Sequence, residues 1–120
     1  MADADDLYHR GAAALGSGDH AAARLLMRHA GEAGRLDAAV IHVNFVASGL
    51  GGRRDWPGAL GMLRGLAREN RRSAIELALI EQMALTADGD PLALPAAEPI
   101  CEAPHIFAFR SLFTPAECRY

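Results

Sequence analysis

Residues 19–50 read DHAAARLLMRHAGEAGRLDAAVIHVNFVASGL. An aspartate stands before the first apolar-periodic run, and Gly34 separates that run from a second. The Asp19 carboxylate can accept from the orphan amides of a first helical turn, which places a helix start there. Ala22, Leu26, Ala30 and Ala33 then recur at helical spacing, with Leu25 and His29 beside the stripe. Gly34 supplies a natural helix stop. The second run carries Leu36, Ala39, Val40, Val43 and Ala47 on one face, and Ile41 and Phe45 on another. A helix apolar on two sides is expected to be covered on two sides. Three glycines between positions 49 and 52 break it. The stretch reads as helix, turn, helix.

Working outward, Asp55 opens DWPGALGMLRGLAREN, and Pro57 is tolerated in a first turn, where its missing amide has no partner to lose. Leu60, Leu63 and Ala67 form one stripe, with Ala59, Met62 and Leu66 beside it. Ser73 and Glu76 have the spacing of a reciprocal cap. After them, Ile75, Leu79 and Met83, with Leu77, Ile80 and Ala84, give a broad apolar surface. Upstream, DLYHRGAAALGSG predicts a weaker helix, interrupted by Gly11 and ended by Gly16 and Gly18. These make about five helices joined by short turns.

The two helical pairs also match each other at an offset of 36 residues: Asp19 with Asp55, Ala23 with Ala59, Arg28 with Arg64, Ala38 with Ala74. A helix-turn-helix unit repeated at that period is the mark of a solenoid. The expected fold is all-α: antiparallel helical hairpins stacked over residues 1–85, a Pro-rich linker over 86–104, and a short extended segment over 105–120. The caps, paired apolar residues and turn glycine (Asp19, Ala23, Leu26, Ala30, Gly34) resemble the tetratricopeptide-like repeats of the SEL type across residues 4–85. The second copy departs from the pattern, with Asn70 at the turn glycine and Leu66 at the small alanine. The resemblance implies a short TPR-like solenoid serving as a protein-interaction scaffold.

Composition narrows the classes. The formal charge is −3 with acidic and basic residues intermixed, and Arg53-Arg54 and Arg71-Arg72 are too short for a nucleic-acid footprint. Two cysteines, Cys101 and Cys118, do not make a disulfide framework, and neither sits in a CxxC pair. The acidic MADADDLYHR lacks the basic region and apolar run of a signal peptide. No apolar stretch has the length of a membrane span. A cytoplasmic protein without nucleic-acid or membrane partners is the expectation.

From Thr86 the pattern changes. TADGDPLALPAAEP holds Pro91, Pro95 and Pro99 and a turn signal at Asp88-Gly89-Asp90, and Pro104 follows. It reads as an extended connector. HIFAFRSLF then has the alternation of a short strand, but no second strand is evident to pair with it. Thr114-Pro115-Ala116-Glu117 is a full helix-start signal with only Cys118, Arg119 and Tyr120 after it. A start without a helix predicts a truncated domain.

PHIFAFRSLFTPAECRY resembles the opening of the prolyl 4-hydroxylase type of 2-oxoglutarate- and iron(II)-dependent oxygenases, matching at Ile106, Phe109, Leu112, Phe113, Thr114, Pro115, Glu117 and Cys118. The resemblance implies a parent dioxygenase that hydroxylates a prolyl or similar side chain, with Fe(II) and 2-oxoglutarate as cofactors and L-ascorbate admitted. It implies a His-x-Asp pair and a distant His as iron ligands, and a basic residue on the 2-oxoglutarate. None of those is here: His105 is followed by Ile106 and Phe107. Catalytic, cofactor and metal residues within residues 1–120 are therefore none.

Among single residues, His9, His20, His29 and His42 are scattered, without the i, i+4 pair of a metal helix. Gly49-Leu50-Gly51-Gly52 lacks the lysine and hydroxyl of a phosphate loop. Asn44, flanked by Val43 and Phe45, either faces solvent in a groove or hydrogen-bonds inside the stack. Trp56 can staple a helix start or touch a ligand. Asn44 and Trp56 are the candidate interaction groove. The leading expectation is a non-catalytic interaction module at the N-terminal side of an oxygenase, its partner a protein or peptide, the parent's own catalytic domain included. The alternative is a free-standing TPR-like interaction adaptor with a flexible C-terminal tail. A small hydrolase or metal enzyme built on the histidines lacks convergent groups.

Overall fold

The computed structural model describes residues 3–102 and 105–119; Pro104 and Tyr120, which bound the terminal segment in the sequence reading, lie outside them. Five helices follow in order: α1 (Ala4–Gly16), α2 (His20–Glu32), α3 (Leu36–Ser48), α4 (Trp56–Ala67) and α5 (Arg71–Gln82). After them come β1 (Glu98–Glu102), β2 (His105–Ala108) and a single turn, α6 (Pro115–Cys118). Each of α1 to α4 packs on the helix that follows it, the arrangement short loops enforce.

The helix starts are built by side-chain caps. Asp3, Asp19 and Asp55 accept from the amides of Asp6, Ala22 and Gly58, and α4 begins 36 residues after α2. The reciprocal cap expected at Ser73 and Glu76 does not form. Asn70 is the N-cap of α5, accepting from the Ser73 amide at 3.1 Å, and Ser73 lies buried inside the helix. Gly11 does not interrupt α1 either. It sits buried where α1 meets α2, and a Cβ there would stand 3.1 Å from Met27 Cε and 3.2 Å from Leu26 Cβ. The missing side chain allows the close approach.

The core divides at α3. Ala38 and Phe45 face α1 and α2, where they meet Ala23, Met27 and Ala30. Val43 and Val46 face α4 and meet Ala59 and Leu63, with Leu77 and Ile80 of α5 beyond. The two-sided apolar pattern of α3 is thus covered on two sides. In α2 the buried stripe is Ala23, Met27 and Ala30, one residue out of phase with the Ala22–Leu26 stripe. Both phases are apolar in this Ala-rich run, and the packing of α1 and α3 selects between them. Arg35 fastens the turn between α2 and α3 to α1: its guanidinium stacks 3.7 Å over the Tyr8 ring and pairs with Asp5 at 2.9 Å and Asp37 at 2.8 Å.

Residues 86–92 fold back rather than running on as a connector. Thr86 and Asp90 bond each other, the Leu92 amide donates to Ala84, and Leu85 bridges Pro91. The strand at 105–108 also has the partner that the sequence did not reveal. β1 pairs antiparallel with β2, with a bulge between Pro99 and Cys101. The extended C-terminal segment is therefore a β-hairpin. The chain measures 58 × 34 × 25 Å with a radius of gyration of 17.5 Å, against about 14 Å for a compact domain of this length.

Candidate functional site

A groove of about 880 Å³ lies between α2, α3 and α4. Its floor is apolar, made by Val43 and Val46 from α3, Met62 and Leu66 from α4 and Leu25 from α2, with Gly31 and Ala39 at the helix crossing. Its rim is charged. Arg24, Arg28 and Glu32 come from α2, His42 from α3, and Arg53 and Asp55 from the segment after α3.

Some of these charges have structural work. Arg24 donates to the carbonyls of Phe45 (3.2 Å), Leu50 (3.3 Å) and Arg53 (2.8 Å). It ties the glycine-rich turn, at Leu50 and Arg53, to α2 and adds a donor to the Phe45 carbonyl, which already accepts from Gly49 N. Asp55 is occupied as the α4 cap, and Arg28 Nε bonds Glu32 Oε1 at 3.0 Å. Burial pushes the His42 imidazole below its ordinary pKa, the charges of Arg24 and Arg28 push it further down, and Glu32 opposes them. The lining carries Arg24, Arg28 and Arg53 against Glu32 and Asp55, in a chain whose net charge is −3.

This arrangement can hold a ligand by apolar contact and charge. Its lining contains neither hydroxyl nor thiol, and its two carboxylates are engaged, Asp55 as the α4 cap and Glu32 with Arg28. Among the described residues, no group of three or more His, Cys, Asp or Glu side chains could hold a metal ion. Both cysteines are free, Cys101 half-buried in β1 and Cys118 exposed in α6. No helix among the described residues is long and apolar enough to cross a membrane.

Asn44 and Trp56 line a second, much smaller hollow of about 120 Å³, together with Leu60 and Ile80; it shares only Val43 with the large groove. Asn44 is exposed, and its backbone carbonyl accepts from Ser48 at 2.8 Å. Trp56 is half-buried, with the Gly89 turn laid against its ring. Arg54 pins that turn, donating to the Asp88 carbonyl at 2.6 Å and pairing with Asp90 at 3.2 Å, while its Nε donates to Ala47. Sequence reasoning passed over Arg24 and Arg54, treating Arg53-Arg54 only as a short basic pair. For Arg54 the available signal was an arginine following a glycine-terminated helix; Arg24, inside α2, carried none.

No protein-family model matches the chain, and no curated protein or solved structure is significantly similar to it.

Proposed function

We propose that the chain is a non-catalytic helical interaction adaptor, and that the groove between α2, α3 and α4 receives a segment of a protein partner. The observation that carries this reading is the groove itself: an open apolar floor between three helices, with a charged rim. The excess of arginine over carboxylate in the lining favours a segment that carries an acidic side chain beside apolar ones. The α2–α3 and α4–α5 pairs are two copies of a SEL-type unit, a reading supported by the 36-residue offset of their aspartate caps. The hollow at Asn44 and Trp56 is a secondary contact of the same module.

The test is to select peptides on the wild-type chain and measure their affinity for Leu25→Asp and Asn44→Asp. Leu25 lines the groove and is half exposed, so its substitution leaves the core intact. Affinity falls at least about tenfold for Leu25→Asp and little for Asn44→Asp. Equal affinity for wild type and Leu25→Asp defeats the groove.

One observation favours a second reading, the N-terminal module of a 2-oxoglutarate- and iron(II)-dependent dioxygenase. The cap at Thr114 is fully built: Glu117 N donates to Thr114 Oγ1 at 3.2 Å, and Thr114 N donates to Glu117 Oε1 at 3.1 Å. This is the element on which the oxygenase resemblance rests. Reading the gene's frame past Tyr120 tests it; a His-x-Asp pair and a later His followed by a basic residue are the expected result.

A further inference from the structure

Apolar side chains crowd the C-terminal hairpin. Of the fourteen large hydrophobic residues exposed in the described chain, eight fall between Leu92 and Phe113. Phe107 is 53% exposed and Phe113 63%. A two-stranded hairpin is marginal in water, and a third strand or a packed face is what makes it persist. The hairpin has two outer edges that could take one, and they differ.

The β1 edge is guarded. Pro99 has no amide to offer a new strand, and the bulge between Pro99 and Cys101 breaks the ladder. Pairing β1 with a copy of itself about Ile100 would oppose Glu98 to Glu102 twice. Pro, acid and bulge are the devices that keep sheet edges from pairing. The β2 edge has none of them. His105-Ile106-Phe107-Ala108 carries no proline, no lysine and no carboxylate. β2 spans His105–Ala108, and Phe109 adjoins it before the turn at Arg110 and Ser111 (φ 55), so the edge offered to a new strand is His105 to Phe109. The midpoint of that length is Phe107.

We propose that β2 is the pairing edge of a homodimer, in which two copies align β2 antiparallel about a two-fold axis at Phe107 and complete a four-stranded sheet. A second copy fits this edge because the strand is complementary to itself. With Phe107 opposite Phe107, Ile106 falls opposite Ala108 and His105 opposite Phe109. The two faces of the hairpin continue unbroken across the axis, and no like charges are opposed. A two-fold contact of this kind closes on itself and leaves the guarded β1 edges outermost. The dimer would present two helical grooves in one assembly, which lets a partner carrying two segments bind with avidity.

The test uses the full chain. Sedimentation equilibrium is expected to show a reversible dimer in the micromolar range, weakened at least about tenfold by Phe107→Lys. The far-UV spectrum of that variant should retain the helical body, since β2 packs chiefly on β1. Independently, Phe107→Cys with Cys101→Ser and Cys118→Ser should oxidise to a covalent dimer, because directly opposed residues bring their Cβ atoms close enough for a disulfide. Ile100→Cys in the same background should stay monomeric. A monomer at every concentration, a dimer indifferent to Phe107→Lys, an open-ended polymer, or cross-linking at position 100 instead of 107 would each overturn the proposal.

Discussion

A Cβ placed on Gly31 would stand 2.9 Å from the Cα of Ala39, so α2 and α3 cross backbone against backbone at this point. The same crossing sets the width of the groove, which both residues line. Gly31→Ala gains the helix propensity of alanine, about 1 kcal/mol, but must force the helices apart, which costs about 1–3 kcal/mol. The variant is expected to unfold at lower urea than the wild type. Gly61 in α4 provides the contrast, since nothing lies within 4 Å of an added Cβ there. Gly61→Ala should gain about 0.5–1 kcal/mol. If both variants shift the midpoint upward, the close crossing is wrong.

The cap of α5 separates what was legible in the sequence from what was not. Asp19 and Asp55 could be read because each stands alone before an apolar-periodic run, as the only side chain placed to take the first-turn amides. The two-sided apolar pattern of α3 was legible for a similar reason: no rotation of that helix hides Phe45 and Val43 on one side. At α5 two starts compete. Asn70 and Ser73 are both good caps three residues before a suitable amide, and only the tight turn after α4 decides for Asn70. The same ambiguity put the α2 stripe out of phase. β1 was hidden because Pro99 denies it the usual strand signature, and the groove because no local pattern marks where three successive helices leave a gap. Asn70→Ala should therefore cost about 1 kcal/mol in urea unfolding. Glu76→Gln, which weakens the 3.6 Å pair between half-buried Glu76 and exposed Arg72, should cost less than Asn70→Ala. The reverse ranking would restore the cap to Ser73 and Glu76.

Trp56 is the chain's single tryptophan, and the Gly89 turn lies against its indole. Gly89 has φ +83, and a Cβ there would drive into the ring. Gly89→Ala should therefore lift residues 86–90 off α4 and open Trp56 to water. The expected signature is a red shift of tryptophan emission with little change in helicity, because α4 keeps its Asp55 cap. Arg54→Ala, which removes the bonds to Asp88 and Asp90, should shift emission in the same direction. Unchanged emission in both variants would mean that the turn does not shield the indole.

His42 links the groove to pH. Its imidazole is held below the ordinary value of 6.5, first by burial and then by Arg24 and Arg28, with Glu32 opposing; Arg53 and Asp55 complete the surrounding charges. The unfolded chain therefore binds a proton at this site more readily than the folded chain. The associated stability is fully present above 6.5 and declines as the pH falls from there through the lower folded pKa. Urea unfolding at pH 7.5 and at pH 5 should show a loss in the wild type that is smaller in His42→Gln, since glutamine keeps the bulk and cannot titrate. The His42 Cε1 proton resonance should titrate with a midpoint below 6.5. A carboxylate seated in the groove would counter the two arginines and raise that midpoint, so an acidic peptide should take up a proton on binding and bind more tightly as the pH drops below neutrality. Equal pH dependence in wild type and His42→Gln would remove His42 from the linkage. Binding that is flat with pH would remove the carboxylate from the groove.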